Sequence, residues 1–160
     1  MENKFKKSKG FSLAELLIAC FIIASGVTAS YMIVQQIFAQ TFEASNRLTA
    51  AYLAQEGAEI VRNIRDTGWI QGLDWTSNGL NVGCHEASYG DYSLTLCSGS
   101  GNYDDLSFYI YLNGNTSIFK RKITIERPTA DSIKTTVDVL WKRKGQVHNV
   151  TIQSLLYDWK

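Results

Sequence analysis

The chain has 160 residues, with 16 Lys and Arg against 15 Asp and Glu and a formal net charge of +1. This length suggests one domain plus a further segment, and excludes two domains of ordinary size. Residues 1–10 hold four of the basic residues and one of the acidic ones, so 12 basic and 14 acidic residues remain after them. A net charge of −2 on that remainder argues against general attraction to nucleic acid.

Residues 11–34 form an apolar run of 24 residues whose only charged side chain is Glu15. As a helix the run would be about 36 Å long, which is enough to cross a bilayer. A charge within such a segment costs roughly 2.5–3.5 kcal/mol on insertion scales, so Glu15 is a candidate functional residue. The lysines that precede the run predict a cytoplasmic N-terminus and place the rest of the chain outside.

An ordinary secretory signal is an alternative interpretation of the same residues. Lysines at 4–9, an apolar stretch at 16–23 and small residues at 27–29 imitate its three regions. Two features disagree with it. Glu15 lies at the head of the apolar stretch, and the run continues past the small residues to Val34.

Residues 35–66 are predicted to continue the helix with an amphipathic pattern. Seven small or apolar residues follow the spacing i, i+3, i+4, i+7 and share one face: Ala50, Leu53, Ala54, Gly57, Ile60, Val61 and Ile64. Gly57 within this stripe predicts close approach of another element, and Asp66-Thr67-Gly68 is the predicted end of the helix.

The remaining residues predict an irregular region followed by strands. Residues 67–90 contain many glycines, with Trp69 and Trp75 as expected anchors. Period-two alternation then predicts a short strand at 92–97 and longer strands at 106–112, 117–127 (ended by Pro128), 133–141 and 147–159. Sequential strands with short turns favour an antiparallel meander of about four strands that covers the amphipathic half of the helix. The predicted fold class is α+β.

Two of the three cysteines, Cys84 and Cys97, lie in the part predicted to be exported, where an oxidising compartment permits a disulfide bond. Closing a loop of this size is worth on the order of 3 kcal/mol in the chain-entropy model. Two buried thiols are the alternative. The third cysteine, Cys20, lies within the apolar run.

The candidates for chemistry are weak, so no enzyme, cofactor or metal is expected. Cys84 and His85 are adjacent, and neighbours on a strand point to opposite faces, so they do not form a nucleophile–base pair. A zinc site that adds Cys97 and His148 would lack the usual short ligand spacings. Residues 98–105 could wrap a calcium ion, but they do not match the EF-hand spacing and favour a solvated loop.

Two basic triplets, residues 120–122 and 142–144, lie on neighbouring predicted strands. If their outward members converge, they form a patch that could contact phosphates or an acidic partner. A solvated, charge-protected strand edge is the alternative. The members of this candidate basic patch are Lys120, Lys122, Lys142 and Lys144.

The lysine-rich leader, Gly10, the segment Phe11-Ser12-Leu13-Ala14-Glu15 and the apolar run after it together resemble a type IV prepilin signal. This signal, the class III signal peptide, is shared by type IV pilins and type II secretion pseudopilins. Residues 52–66 and the final hairpin are similar to minor pilins of the pilus-modification type. The resemblance implies a pilin-like fold.

The family also implies a mechanism for three residues. Prepilin peptidase would cut after Gly10 and methylate the new amine of Phe11. Glu15 would pair with the N-terminal amine of a neighbouring subunit.

The implied organisation is a cleaved leader at 1–10, a membrane and assembly segment at 11–34, an amphipathic segment at 35–66 and a β head at 67–160. The implied partners are other pilin subunits, which would bind through residues 11–34, and the inner-membrane assembly platform. Before processing the chain would be a single-pass membrane protein with its head outside the cytoplasm. Pilus, secretion and DNA-uptake systems all remain open.

Overall fold

The computed structural model describes residues 10, 12–74, 79–111 and 113–158. It contains one helix, α1 (Leu13–Ile70), and five strands within those residues: β1 (Gly83–Glu86), β2 (Thr95–Leu96), β3 (Phe119–Thr129), β4 (Ser132–Arg143) and β5 (Gln146–Tyr157). The chain divides into two compact units, one ending at Ala44 and one running from Ser45 to the C-terminus. An α+β fold with a long apolar N-terminal helix and an antiparallel sheet is confirmed.

The helix ends four residues later than predicted. Gly72 has a φ of +71°, and its N–H donates to the carbonyl of Trp69 at 3.1 Å. The N–H of Leu73 donates to the carbonyl of Gly68 at 2.9 Å. These two bonds form a Schellman motif, in which a glycine in the left-handed conformation closes the helix. Gly68 is instead a buried residue within the last turns.

The predicted apolar stripe of α1 is confirmed. All seven of its residues are buried and pack against the sheet within the second unit. The close approach predicted at Gly57 is also confirmed, because a Cβ atom there would lie 2.9 Å from Val137 Cγ1 and 3.0 Å from Arg121 Cδ. Trp69, one predicted anchor, is partly buried against this core. Trp75, the other, lies outside the described residues.

The sheet has the strand order β2-β1-β3-β4-β5, and every pairing is antiparallel. The last three strands form the predicted meander. The sheet has five strands where about four were predicted, and the prediction of an irregular region at 67–90 was wrong at β1, which lies between β2 and β3. A four-residue strand that includes Gly83 is too short to produce a visible alternation, and its position depends on pairing with residues some forty positions away.

The predicted strand at 106–112 was also wrong. Within the described part of this segment there is one isolated bridge, between Ile110 and Thr116. Leu106 and Tyr109 are buried, whereas Phe108 is 45% exposed. The N–H of Tyr109 donates to the carbonyl of Phe119 at 2.8 Å, so the segment runs as a loop along the edge of β3.

Two strand boundaries differ from the predictions in detail. β3 continues past Pro128 to Thr129, because the register shifts between Glu126 and Thr129 and the exposed strand end tolerates a residue without an N–H. β5 ends at Tyr157, close to the predicted end at 159. The turn before it uses Lys144 (φ 49°) and Gly145 (φ 82°), as a two-residue hairpin requires.

Candidate functional site: the N-terminal segment

The start of α1 is capped by the side chain of Glu15. Ser12 precedes the first helical residue, and its carbonyl accepts the N–H of Leu16 at 3.1 Å. The Ser12 N–H donates to Glu15 Oε2 at 3.4 Å. Ser12 and Glu15 therefore occupy the N-cap and N3 positions of a capping box, in which the N3 carboxylate satisfies the N-cap N–H. The spacing Ser-x-x-Glu was visible in the sequence, but the sequence analysis did not use it.

Glu15 combines this local role with free hydrogen-bonding capacity. It lies in the first turn of the helix, where the aligned peptide dipoles favour a negative charge. Its side chain is exposed, and the Ser12 N–H is the one donor that reaches it within the part of the chain that is described. An ionised carboxylate accepts about four hydrogen bonds, so Glu15 can still receive a cationic partner.

Gly10 is exposed, and a Cβ atom there would meet no atom within 4 Å. The bond that follows it is therefore not shielded by the described residues. Phe11 and the lysine leader lie outside those residues.

The first part of α1 presents apolar side chains outward. The exposed fractions of the large apolar residues from Leu13 to Val34 range from 47% to 77%. By length and composition α1 is able to cross a membrane. Such exposure costs free energy in water and is favourable in lipid or against other apolar helices.

The hydroxyl groups within this apolar segment are satisfied by the helix itself. Ser25 donates to the carbonyl of Ile22 at 2.9 Å, and Thr28 donates to the carbonyl of Ala24 at 2.8 Å. Ser30 bonds the carbonyl of Gly26 in the same way at 2.9 Å. Because buried polar groups without partners are costly in hydrocarbon, these bonds suit an apolar environment.

The predicted disulfide is confirmed. Cys84 and Cys97 are bonded, with their Cα atoms 5.4 Å apart, and the N–H of Cys97 also donates to the carbonyl of Cys84. The zinc site considered for these cysteines is therefore wrong, because disulfide sulfurs are not thiolate ligands. No group of three or more potential metal-binding side chains occurs among the described residues.

His85 points into the core, where it is 2% exposed, and its Nε2 lies 2.7 Å from the carbonyl oxygen of Asn81. The imidazole ring therefore bonds to a neighbouring carbonyl in the core, and it is not exposed beside a nucleophile.

One of the two acidic side chains of the loop at 98–105, that of Asp105, bonds to the backbone of the loop itself. Asp105 Oδ2 accepts the N–H of Ser100 at 3.0 Å and that of Asn102 at 3.4 Å. This carboxylate therefore stabilises the conformation of the loop.

The four lysines of the candidate basic patch lie in different environments. Lys120 is buried, and its Nζ donates to the carbonyl of Tyr103 at 2.7 Å. Lys122 Nζ lies 3.6 Å from Asp138 Oδ2. Lys142 and Lys144 are exposed, and Lys142 lies 5.9 Å from the Tyr103 ring. Lys120 and Lys142 thus approach the same ring, while Lys120 and Lys122 already have partners within the chain. Phosphate binding by these lysines stays a prediction.

The second unit contains a buried charged cluster that the sequence analysis missed. The Arg121 side chain is fully buried and donates to the carbonyls of Ala87 (3.0 Å) and Leu53 (3.0 Å). Its Nη1 lies 3.4 Å from Glu56 Oε1, and the Tyr109 hydroxyl donates to the same carboxylate at 3.0 Å. Arg121 lies two residues from both Phe119 and Ile123 and so shares their face of the strand, which was a signal that it faces the core.

The cluster changes the acidity of two of its members. Burial lowers the pKa of Arg121, although Glu56 opposes this shift. Burial and the Glu56 carboxylate both raise the pKa of Tyr109 well above its usual value. The cluster connects α1 to β3 and to the loop that carries Tyr109, and its position in the core indicates a structural role.

Comparison with known proteins agrees with the N-terminal geometry. Residues 5–31 match the family model described as the prokaryotic N-terminal methylation motif. No curated protein and no solved structure matches the chain. The motif and the exposed apolar helix together fit a membrane-anchored protein. Residues 5–31 therefore carry the methylation motif, the class III signal peptide of type IV pilins and pseudopilins.

Proposed function

We propose that the chain is a structural subunit, a minor pilin or pseudopilin, of a type IV pilus or of a filament like that of type II secretion. The observation that carries this proposal is the methylation motif at residues 5–31 on a helix whose apolar side chains are exposed. Prepilin peptidase would remove residues 1–10, and residues 11–34 would pack against the same segment of other subunits. The inner-membrane assembly platform would receive the processed chain.

The chemistry at the cut supports a specific role for Glu15. A carboxylate at the head of a membrane segment is costly unless a cation lies at the same depth. Cleavage after Gly10 creates such a cation, the amine of Phe11, at the start of every processed chain. The processed amine of one subunit would then pair with Glu15 of its neighbour, since Glu15 has only one local hydrogen bond among the described residues.

The second unit, from Ser45 onward, would be the head carried outside the cytoplasm. Its core is formed by α1 and the sheet, and a disulfide stabilises it, as suits an oxidising compartment. The lysines at positions 4, 6, 7 and 9 support this orientation through the positive-inside rule. A subunit whose helix assembles and whose head is exported needs no catalytic centre.

Mass spectrometry of the mature N-terminus tests the proposal. The chain purified from membranes of cells with an intact assembly system is expected to begin with N-methyl-phenylalanine at position 11. Deletion of the peptidase gene should leave the chain starting at residue 1. A mature chain that begins near Ser30 would instead indicate an ordinary secretory signal and a secreted or membrane-anchored binding domain, and the proposal would then be wrong.

A further inference from the structure

The last strand of the sheet, β5, is paired on one side only. Its twelve residues pair one-to-one with β4, without any shift in register, and it ends the strand order. Among the described residues, no strand or loop contributes a backbone hydrogen bond to the outer edge of residues 149–156. An antiparallel edge strand points the N–H and C=O groups of alternate residues outward. The sheet therefore ends in a long, regular row of backbone donors and acceptors.

The composition of β5 is the reverse of what an exposed edge usually has. Proteins protect such edges with lysine, proline, bulges or very short strands. β5 contains no charged residue and no proline. Two of the three inner strands, β3 and β4, contain charged residues and the proline instead. They are Lys120, Arg121, Lys122, Glu126, Arg127 and Pro128 on β3, and Lys134, Asp138, Lys142 and Arg143 on β4.

The opposite side of the sheet is protected in the usual ways. β2 has two residues, and the disulfide from Cys97 to Cys84 ties its end to β1. Where β1 does not reach, the loop through Tyr109 bonds to Phe119 and covers β3. One edge is thus short and covered, while the other is long, regular and uncharged. This asymmetry indicates that the β5 edge is paired when the protein is in its working state.

We propose that the outer edge of residues 149–156 is a docking site for an extended, uncharged segment of a different subunit of the same filament. An extended backbone fits because it supplies the complementary N–H and C=O groups, which lipid cannot supply. The side chains of this segment on the exposed face of the sheet are also neutral. They are Asn149, Thr151, Gln153 and Leu155. A partner strand with polar or aliphatic side chains at alternate positions could therefore pair without burying an unpaired charge.

A second copy of the chain does not fit this edge through an antiparallel pair of two β5 strands. Two β5 strands in an antiparallel pair are related by a two-fold axis perpendicular to the sheet. Because residues 50–64 of α1 lie against the face of that sheet, the same axis reverses the direction of the helix. Two chains anchored by the same signal in one membrane have their helices in the same direction. This inference rests on the proposed function, since it requires co-anchored subunits.

Photocrosslinking in cells that carry the complete assembly system tests the proposal. The full chain receives p-benzoylphenylalanine at Gln153, on the edge, or at Asn115, an exposed turn residue away from the edge. We expect an adduct from position 153 with a different chain that also begins with N-methyl-phenylalanine, and none with that chain from position 115. Asn149→Lys combined with Leu155→Lys should abolish the adduct. The matched neutral pair, Asn149→Gln with Leu155→Met, should retain it.

Each result bears directly on the edge. Unchanged melting temperatures of both double variants establish that the strands remain folded, so that loss of the adduct in the lysine pair reports on docking. No adduct, an adduct with a second copy, or an adduct that survives the lysines would overturn the inference. N-terminal mass spectrometry of the same sample separates the two proposals. An N-methyl-phenylalanine start without an edge adduct rejects only the docking site, whereas any other start rejects the proposed function as well.

Discussion

At the scale of single residues, Gly57 decides how closely α1 approaches the sheet. A methyl group there would lie 2.9 Å from Val137 Cγ1 and 3.0 Å from Arg121 Cδ, so the helix or these two buried side chains must move. Alanine would raise helix propensity by about 1 kcal/mol, but overpacking costs about 1–3 kcal/mol. The steric term is the larger one because Arg121 is held by several hydrogen bonds.

Gly57→Ala is therefore expected to lower the melting temperature of the full chain in detergent. Gly26→Ala is the matched control, because a Cβ atom at Gly26 meets nothing within 4 Å in the same helix. The control should leave the melting temperature unchanged or raise it. Equal effects of the two substitutions would contradict close packing at Gly57.

Tyr109 makes stability depend on pH in the alkaline range. Its pKa is raised in the folded state, so above pH 10 the unfolded chain loses the phenolic proton while the folded chain retains it. The free energy of unfolding then decreases as pH rises, by up to about 1.4 kcal/mol per pH unit from this residue. Below pH 10 the contribution is complete.

Urea unfolding between pH 8 and pH 11 measures this dependence. Tyr109→Phe is expected to have a smaller loss of stability above pH 10 than the unsubstituted chain, although it also loses the bond to Glu56 and is less stable at pH 8. Tyr92→Phe, at a residue that is 94% exposed, should leave the pH dependence unchanged. An identical alkaline slope in Tyr109→Phe would show that another group is responsible.

At the scale of elements, the disulfide stabilises the part of the sheet with the weakest pairing. β1 and β2 have four and two residues, and Cys84–Cys97 closes a 13-residue separation around their connection. In the chain-entropy model a loop of this size contributes about 3 kcal/mol. The longer β3–β5 strands have their own apolar face and need no such link.

Removal of the disulfide should therefore destabilise the second unit without abolishing its main sheet. Cys84→Ser with Cys97→Ser is expected to lower the free energy of unfolding by about 3 kcal/mol. Hydrogen exchange should become faster at residues 83–97 before it changes in β4. Cys20→Ser, which leaves the disulfide intact, is the control. A wild-type exchange pattern in the double variant would contradict this account.

How much of the fold could be predicted depended on the length of each pattern. The stripe from Ala50 to Ile64 and the alternation through Ile123, Val137 and Val139 are long, so the helix and the three-strand meander were predictable. β1 and the loop through Tyr109 were not, because long-range pairing and a buried phenol decide their structure. The charged cluster could not be predicted for a related reason. Arg121 is a charged residue within an otherwise apolar strand face, and only its partners make its burial possible.

The N-terminal methylation motif was predictable for a different reason. It is a contiguous run of 27 residues, so no tertiary contact is needed to identify it. The capping bond between Ser12 and Glu15 adds what the sequence analysis did not use, namely a second role for the carboxylate. Any test of Glu15 must therefore separate helix capping from pairing with an amine.

At the scale of the whole molecule, processing would change the charge at the end that assembles. Loss of residues 1–10 removes four lysines and one glutamate and creates one amine next to an apolar segment. The remaining carboxylate of that segment, Glu15, is exposed at the start of α1. The precursor would thus have a basic leader suited to the cytoplasmic surface, whereas the N-terminal segment of the processed chain would have one cation and one anion suited to pairing between subunits.

Two substitutions of Glu15 distinguish its roles. Glutamine preserves the capping box, since it also accepts the N-cap N–H at N3, but removes the charge; alanine removes both. If pairing with the amine of a neighbour drives assembly, both variants should reach the membrane and be cleaved after Gly10, and both should be absent from the sheared filament fraction. If capping is the essential role, the glutamine variant should assemble normally and only the alanine variant should fail. Immunoblots of the sheared and membrane fractions, with cleavage followed by mass, therefore decide between charge and geometry, and normal assembly of Glu15→Gln would refute the pairing.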